Sequence, residues 1–154
     1  MNFTIKKKNG LKKFILQSLY AINGVVSVTL VGSFWLKKNL NNFSDVDIVL
    51  ILDKLNKKKY NQCVNKIKSI KLNQYGLGHL NLVVNSTFGP LKFNTENNIV
   101  FHLMIYDVNG HILHTIKSPF TCHDWERSED FIGKKLKEIF PVGKIQLLDF
   151  YSSR

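Results

Sequence analysis

The sequence predicts an α+β fold, because helical and extended patterns alternate along the chain. Two short runs, Val25 to Val31 and Asp45 to Leu52, are rich in β-branched and other apolar residues, as buried strands are. Amphipathic stretches with apolar residues at i, i+3, i+4 and i+7 precede and follow these runs. The 154 residues, 44% of them hydrophobic, are enough to form a core, so we expect a single domain over residues 1–154.

The first half of the chain predicts a helix, a strand, a short helical piece and a second strand. The apolar face of the first helix consists of Leu11, Phe14, Ile15, Leu19 and Ile22. Gly24 then offers a C-terminal stop. Val25 to Val31 forms the first strand, which Gly32 and Ser33 end. Asp45 to Leu52 forms the second strand, and its continuous apolar end is typical of a central strand covered on both faces.

The middle of the chain predicts a basic helix and a third strand. Residues 54–72 place apolar side chains at helical spacing among seven lysines and no acid, which indicates an amphipathic helix with a basic outer face. Leu80 to Val84 has the composition of a strand. Residues 87–98 contain Gly89-Pro90 and several Asn, so we expect a loop there.

The last third of the chain predicts a hairpin, a helix and a short strand. Ile99 to Val108 is a strand candidate, and Asn109-Gly110 suits the positive φ values of a type I′ turn. We therefore expect a β-hairpin over residues 99–117. Residues 131–140 have the apolar spacing of a helix, and residues 146–151 indicate a final short strand.

The composition is strongly basic. Lys and Arg number 22 against 11 acidic residues, which gives a formal net charge of +11 and a pI of about 9.7. Such a charge favours phosphate-bearing or polyanionic partners. A general compositional bias towards lysine explains the charge equally well, because the lysines are scattered over predicted helix faces and do not form one Arg-rich stripe.

The cysteines and the N-terminal region favour a cytoplasmic protein. Cys63 and Cys122 are far apart and outside any C-x-x-C pattern, so neither a disulfide framework nor a zinc site is indicated. The apolar run after the basic start is interrupted by Gln17 and Ser18. We therefore expect no signal peptide and no membrane segment.

Two carboxylates and a Gly-Ser pair are the main candidates for chemistry. Residues 1–95 contain only three acids, Asp45, Asp47 and Asp53, against fifteen lysines. Side chains at i and i+2 of a strand share a face, so Asp45 and Asp47 converge, and paired carboxylates suit Mg²⁺. The alternative is an ordinary pair of aspartates at the solvated rim of a strand. Gly32 after a buried strand lets the backbone approach a phosphate closely, and the Ser33 hydroxyl adds a donor.

These residues resemble a known family signature. Gly32-Ser33, eleven further residues and then Asp45-Val46-Asp47-Ile48 are similar to the motif of the nucleotidyltransferase superfamily with the DNA polymerase β-like fold, particularly its minimal single-domain members. The resemblance implies a small mixed β-sheet with helices packed on one side. It also implies that Gly32 and Ser33 hold the triphosphate of an NTP such as ATP, and that Asp45 and Asp47 bind Mg²⁺ or Mn²⁺.

The resemblance leaves the acceptor open. It implies transfer of a nucleoside monophosphate to a hydroxyl, amine or phosphate group on a small molecule, a protein or RNA. The residues after the last predicted helix leave little room for the helical acceptor domain of larger family members. We therefore expect either a small acceptor or a surface supplied by a partner chain or a homo-oligomer.

The third carboxylate that catalytic members of the family usually carry is missing from its expected strand. His102 stands at that position, and imidazole can act as a neutral metal ligand or a general base. The alternative is a histidine that only forms hydrogen bonds within the sheet. Asp107 lies five residues further on and faces the other way, so it is expected to serve the Asn109-Gly110 turn, with a catalytic role as the alternative. The missing acid favours a second hypothesis, a catalytically silent module that binds nucleotide or RNA.

Other functional side chains have weaker patterns. Lys37, Lys38 and Lys92 could contact nucleotide phosphates or be ordinary solvated lysines. Residues 118–127 could shape an acceptor pocket or form a packed loop. The histidines at positions 111 and 114 have the i, i+3 spacing of a helical metal pair, but two such histidines on a strand would face opposite ways.

Overall fold

The structure, a computed structural model, describes residues 3–36, 45–85 and 97–143. Within these residues the α-helices are α1 (Ile5–Tyr20), α2 (Ser33–Leu36), α3 (Lys57–Lys68), α4 (Val108–Lys117), α5 (Pro119–Glu126) and α6 (Leu136–Ile139). The strands are β1 (Val25–Val31), β2 (Asp45–Leu52), β3 (Asn81–Asn85), β4 (Asn98–Asp107) and β5 (Phe131–Gly133). A 3₁₀ turn at Leu72–Tyr75 follows α3.

The described strands form one mixed sheet in the order β3-β4-β2-β1-β5. β1 is antiparallel to both β2 and β5, whereas β2, β4 and β3 run parallel to one another. The predicted α+β class with a small mixed sheet is therefore confirmed. The first helix, the basic helix and the strands predicted before residue 108 are all present. The strands Val25–Val31 and Asp45–Leu52 have the predicted bounds, and the other elements have shifted ends.

Alternation along the central strand divides the core into two faces. Val46, Ile48, Leu50 and Leu52 of β2 are fully buried in the cluster that α1 and α3 cover. Val49 and Ile51 point to the other face, where they pack against Trp125 of α5 and other buried residues. Helices were expected on one side of the sheet, and α1 and α3 lie on one side. Other helices cover the opposite face, so both faces of the sheet are covered. A continuous apolar strand is what this double burial requires.

The predicted β-hairpin over 99–117 is wrong, because only its first strand forms. β4 ends at Asp107, and the next residue begins α4. The Asp107 carboxylate accepts a hydrogen bond from the Gly110 amide at 2.6 Å, which caps the new helix. Gly110 is not among the positive-φ glycines, so the type I′ turn does not form. The capping side chain and the burial of one helical face outweigh the turn propensity of Asn-Gly.

The predicted helix over 131–140 is also wrong in its first half. Residues 131–133 form β5, with Thr29 opposite Phe131 and Ser27 opposite Gly133. Gly133 has φ +83, which a helix cannot contain. The open edge of β1 thus recruits this segment, and only Leu136–Ile139 becomes helical. The predicted strand over 146–151 and most of the predicted loop over 87–98 lie outside the described residues.

No helix in the described ranges has the length and apolarity needed to cross a membrane.

Candidate active site

The strand register brings the predicted site residues into one row across the sheet. Val31 at the end of β1 lies opposite Asp47 of β2, and Asp47 lies opposite His102 of β4. Neighbouring strands are about 4.8 Å apart, so this row spans roughly 10 Å. Gly32 follows Val31 directly. The structure therefore gathers the Gly-Ser turn, the carboxylate pair and His102 on one side of the sheet.

The two aspartates differ in their surroundings. Asp45 is exposed at the start of β2, whereas Asp47 is partly buried. Burial raises the pKa of Asp47, the nearby His102 lowers it and the charge of Asp45 raises it further. Ionisation of Asp47 is therefore less favourable than that of an ordinary exposed aspartate, and a bound cation would offset this difference. This environment suits a carboxylate that shares a divalent metal ion with its neighbour.

His102 lies on the same face as the aspartates. Its Nε2 atom is 3.8 Å from Oδ1 of Asp45, and 19% of its side chain is exposed to solvent. This separation is longer than a hydrogen bond but within the range of an ion pair when the ring is protonated. The ring can thus reach both solvent and the carboxylates.

Gly32 makes the close approach of Asp47 possible. Its φ of +84 lies in the region that favours glycine, and a Cβ atom at this position would be 2.4 Å from Oδ2 of Asp47. The sequence indicated a glycine that leaves room for a phosphate, and the geometry adds a second reason for it. Ser33, the first residue of α2, has an exposed side chain. Its hydroxyl is therefore accessible from the same turn.

Lys8 contacts the residue that follows the Gly-Ser turn, and this contact was not predicted from the sequence. Its side chain is buried on α1, its Nζ donates a hydrogen bond to the Phe34 carbonyl, and it lies 4.7 Å from the centroid of the Phe34 ring. Burial lowers the pKa of Lys8, Lys12 lowers it further and Asp130 opposes the shift. The signal was its spacing, because position 8 continues the inward stripe that contains Leu11.

A cleft opens beside the Gly-Ser turn. It has a volume of about 380 Å³, and its lining includes Gly32, Ser33, Asp124, Trp125, Arg127 and Ser128. The segment expected to be a pocket wall or a packed loop is therefore mostly helix α5, and its C-terminal end reaches the turn. Trp125 is buried in the second core cluster, so this wall is well packed.

Several other candidates lie away from the row. Asp107 caps α4 through its bond to the Gly110 amide. The two histidines at positions 111 and 114 lie on helix α4 and not on a strand, and Nδ1 of His114 is 3.3 Å from Sγ of Cys122. Lys37, Lys38 and Lys92 lie outside the described residues. The prediction that these two histidines lie on a strand and face opposite ways is therefore wrong, because the segment is helical.

The metal-binding capacity of the site is limited to a carboxylate pair. Across residues 3–36, 45–85 and 97–143, no group of three or more His, Cys, Asp or Glu side chains is arranged to hold a metal ion. Mg²⁺ commonly binds through one or two carboxylates and takes its other ligands from substrate phosphates and water. Asp45 and Asp47, with the raised pKa of Asp47, fit this mode of binding.

The fold and the site together define a class: a mixed-sheet domain with a Gly-Ser turn beside paired carboxylates on the neighbouring antiparallel strand. The family model described as nucleotidyltransferase domain matches residues 10–106, from within α1 to the end of β4. This match covers more than half of the chain, and the chain belongs to the nucleotidyltransferase domain family. Searches of curated proteins and of solved structures find no significant match.

Proposed function

We propose that this chain is a divalent-metal-dependent nucleotidyltransferase that moves a nucleoside monophosphate from an NTP to an acceptor. The observation that carries the proposal is the row formed by the Gly-Ser turn, Asp47 and His102 on one side of the sheet. The family implies nucleotidyl transfer as the general activity and an NTP as the substrate. The remaining details rest on the residues of the row.

Each group in the row has a role in the proposed reaction. The backbone at Gly32 and the hydroxyl of Ser33 bind the triphosphate at the positive-φ turn, next to the carboxylate of Asp47. Asp45 and Asp47 would hold Mg²⁺ or Mn²⁺, which neutralises phosphate charge when bound. His102 accepts the proton of the attacking acceptor group at Nε2, which faces Oδ1 of Asp45 at 3.8 Å.

The acceptor is proposed only as a class. A hydroxyl, amine or phosphate group fits the proton acceptor at position 102, and a small molecule, a protein or RNA could carry it. A cytoplasmic location agrees with Cys63 and Cys122, which are buried and unpaired. A partner chain or a second copy could contribute to acceptor binding.

Replacement of the paired aspartates tests the proposal. Asp45→Asn and Asp47→Asn remove one charge each with little change in size, and each should lower pyrophosphate release from NTPs by about 100-fold or more, because a metal ligand is lost. Asp53→Asn is the matched control, since Asp53 is an exposed acid paired with Lys59 at 3.3 Å. Release is measured with the four NTPs and Mg²⁺. Equal activity in all three variants would contradict the site.

One alternative is a module that binds nucleotide or RNA without catalysis. It is favoured by His102, which stands where catalytic members of the family usually carry a third carboxylate. Such a module would be stabilised against thermal unfolding by NTPs without releasing pyrophosphate, because stabilisation requires binding alone. If RNA is its ligand, affinity should fall steeply with salt, since lysine contacts to phosphates release counterions. Pyrophosphate release that depends on Asp45 and Asp47 would exclude this alternative.

A further inference from the structure

The cleft beside the Gly-Ser turn contains an unusual residue for this chain. Of the 22 basic residues only two are arginines, Arg127 and Arg154. Arg127 lines the cleft together with Gly32 and Ser33, and Arg154 lies outside the described residues. The family match ends at residue 106, so Arg127 lies outside the matched region.

Hydrogen bonds to β1 fix the place of this arginine. The Leu30 amide donates to the carbonyl of Asp130 at 2.8 Å, and the Ser128 hydroxyl donates to the Leu30 carbonyl at 2.6 Å. The segment that begins at Arg127 therefore runs along the edge of β1 that pairs with β5, on the side opposite to β2. Across the sheet the order is His102, the carboxylates, the Gly-Ser turn and then Arg127.

The guanidinium of Arg127 is available for an anionic ligand. Its side chain is 73% exposed, and its Nη1 atom is 3.9 Å from Oδ1 of Asp124, one turn earlier in α5. Exposed ion pairs of this kind are weak, so a polyanion can compete with Asp124 for the guanidinium. A planar guanidinium also binds phosphate oxygens in a bidentate manner, which a lysine cannot do.

We propose that Arg127 binds the terminal phosphates of the NTP and stabilises the departing pyrophosphate. This inference rests on the proposed function, which puts the triphosphate at Gly32 and Ser33. In the reaction the acceptor oxygen or nitrogen forms a bond to the α-phosphorus, and its proton goes to Nε2 of His102. The bond from the α-phosphorus to the oxygen that bridges to the β-phosphate breaks, and that oxygen keeps the electron pair as part of pyrophosphate.

The order of groups across the sheet fits an in-line displacement. The attacking and leaving groups lie on opposite sides of the phosphorus in such a reaction. His102 lies on one side of the carboxylates, and the Gly-Ser turn and Arg127 lie on the other. Charge that develops on the leaving oxygen thus forms on the side where the guanidinium is. Arg127 would act as a catalytic residue from outside the matched family region.

Binding of inorganic pyrophosphate tests this site separately from the transfer reaction. Calorimetric titrations with Mg²⁺ compare pyrophosphate, an NTP and the matching nucleoside monophosphate. Arg127→Gln should weaken pyrophosphate and NTP binding about tenfold, because a charge-assisted hydrogen bond is lost, and should leave monophosphate binding unchanged. Arg127→Lys should recover only part of the loss. Asp124→Asn should tighten pyrophosphate binding by up to about fivefold, because the competing carboxylate is removed.

Lys137→Gln is the control, since Lys137 is an exposed residue on α6 that does not line the cleft. Unchanged pyrophosphate binding in Arg127→Gln, or equal weakening of the monophosphate, would overturn the inference. If the wild type releases pyrophosphate from NTPs and Arg127→Gln binds pyrophosphate normally, only the inference fails. If pyrophosphate binding depends on Arg127 but no NTP is turned over, the phosphate site stands and the proposed transfer fails. A wild type that binds neither NTP nor pyrophosphate would overturn both.

Discussion

At the scale of single residues, the Gly32 position combines two constraints. Its backbone has φ +84, and a Cβ atom would lie 2.4 Å from a carboxylate oxygen of Asp47. Either constraint alone disfavours a side chain at position 32. A side chain there would change both the backbone of the turn and the position of the Asp47 carboxylate. Asp47 is itself partly buried, and this burial is the main reason that its pKa is raised.

We expect Gly32→Ala to be destabilising and inactivating. The strained backbone should lower the free energy of unfolding by about 1–3 kcal/mol, and Asp47 must shift to avoid the new methyl group. Chemical denaturation and pyrophosphate release measure the two effects. Gly143→Ala is the control, because a Cβ atom at Gly143 would have no neighbour within 4 Å among the described residues and Gly143 has no positive φ. Wild-type activity in Gly32→Ala would show that the Gly32–Asp47 contact is not needed.

At the scale of elements, one buried lysine joins two helices. Lys8 is one of the buried residues of α1. Its ammonium group contacts the carbonyl and the ring of Phe34, which belongs to α2. Phe34 directly follows Ser33, so α1 fixes the short helix that begins with the proposed phosphate ligand. We infer that Lys8 is a positioning residue.

Lys8→Met should affect both stability and nucleotide binding. It retains an aliphatic side chain but leaves the Phe34 carbonyl without this donor, which should lower the free energy of unfolding by about 1–3 kcal/mol. It should also raise the Kd for NTP, because α2 is less well fixed. Lys8→Arg should recover part of the binding, and Lys6→Met, at an exposed position, should change stability by less than about 0.5 kcal/mol. An unchanged Kd for NTP in Lys8→Met would limit its role to folding.

At the scale of the whole molecule, two histidines of α4 link folding to pH. His111 is 1% exposed, and His114 stacks on Tyr106 with ring centroids 5.1 Å apart. Burial lowers the pKa of His111, His114 adds to this and a backbone contact to Leu136 opposes it. Burial also lowers the pKa of His114. Both rings therefore remain neutral in the folded state at pH values where the unfolded chain is protonated.

We expect the stability of the protein to fall as pH decreases below about 6.5, the ordinary pKa of histidine. In that range the unfolded state binds more protons than the folded state, so the free energy of unfolding decreases by up to about 1.4 kcal/mol per pH unit for each histidine. Urea denaturation at pH 7.5 and pH 5.5 measures the effect. His111→Gln should reduce the pH dependence, whereas His79→Gln, at an exposed position, should not. A pH dependence that survives both His111→Gln and His114→Gln would refute this origin.

The sequence by itself determined the parts of the fold that local patterns encode. The spacing of apolar residues within each segment predicts β1, β2, α1 and α3. The Gly-Ser and D-x-D motifs can be read directly from the residues that follow β1 and begin β2. The alternation of a strand was enough to predict that Asp45 and Asp47 share a face. These features depend on neighbours within a few residues, so a single sequence is sufficient to predict them.

Only the tertiary structure decided the features that depend on distant residues. The segment at 131–133 became β5 because the edge of β1, about a hundred residues earlier, offers unpaired backbone groups. The segment after Asp107 became α4 because one of its faces could be buried against β2 and β4, which outweighed its turn propensity. Lys8 and Arg127 reach the Gly-Ser turn through the same long-range packing. Contacts between residues far apart in the chain arise only once the sheet is assembled, and no local periodicity encodes them.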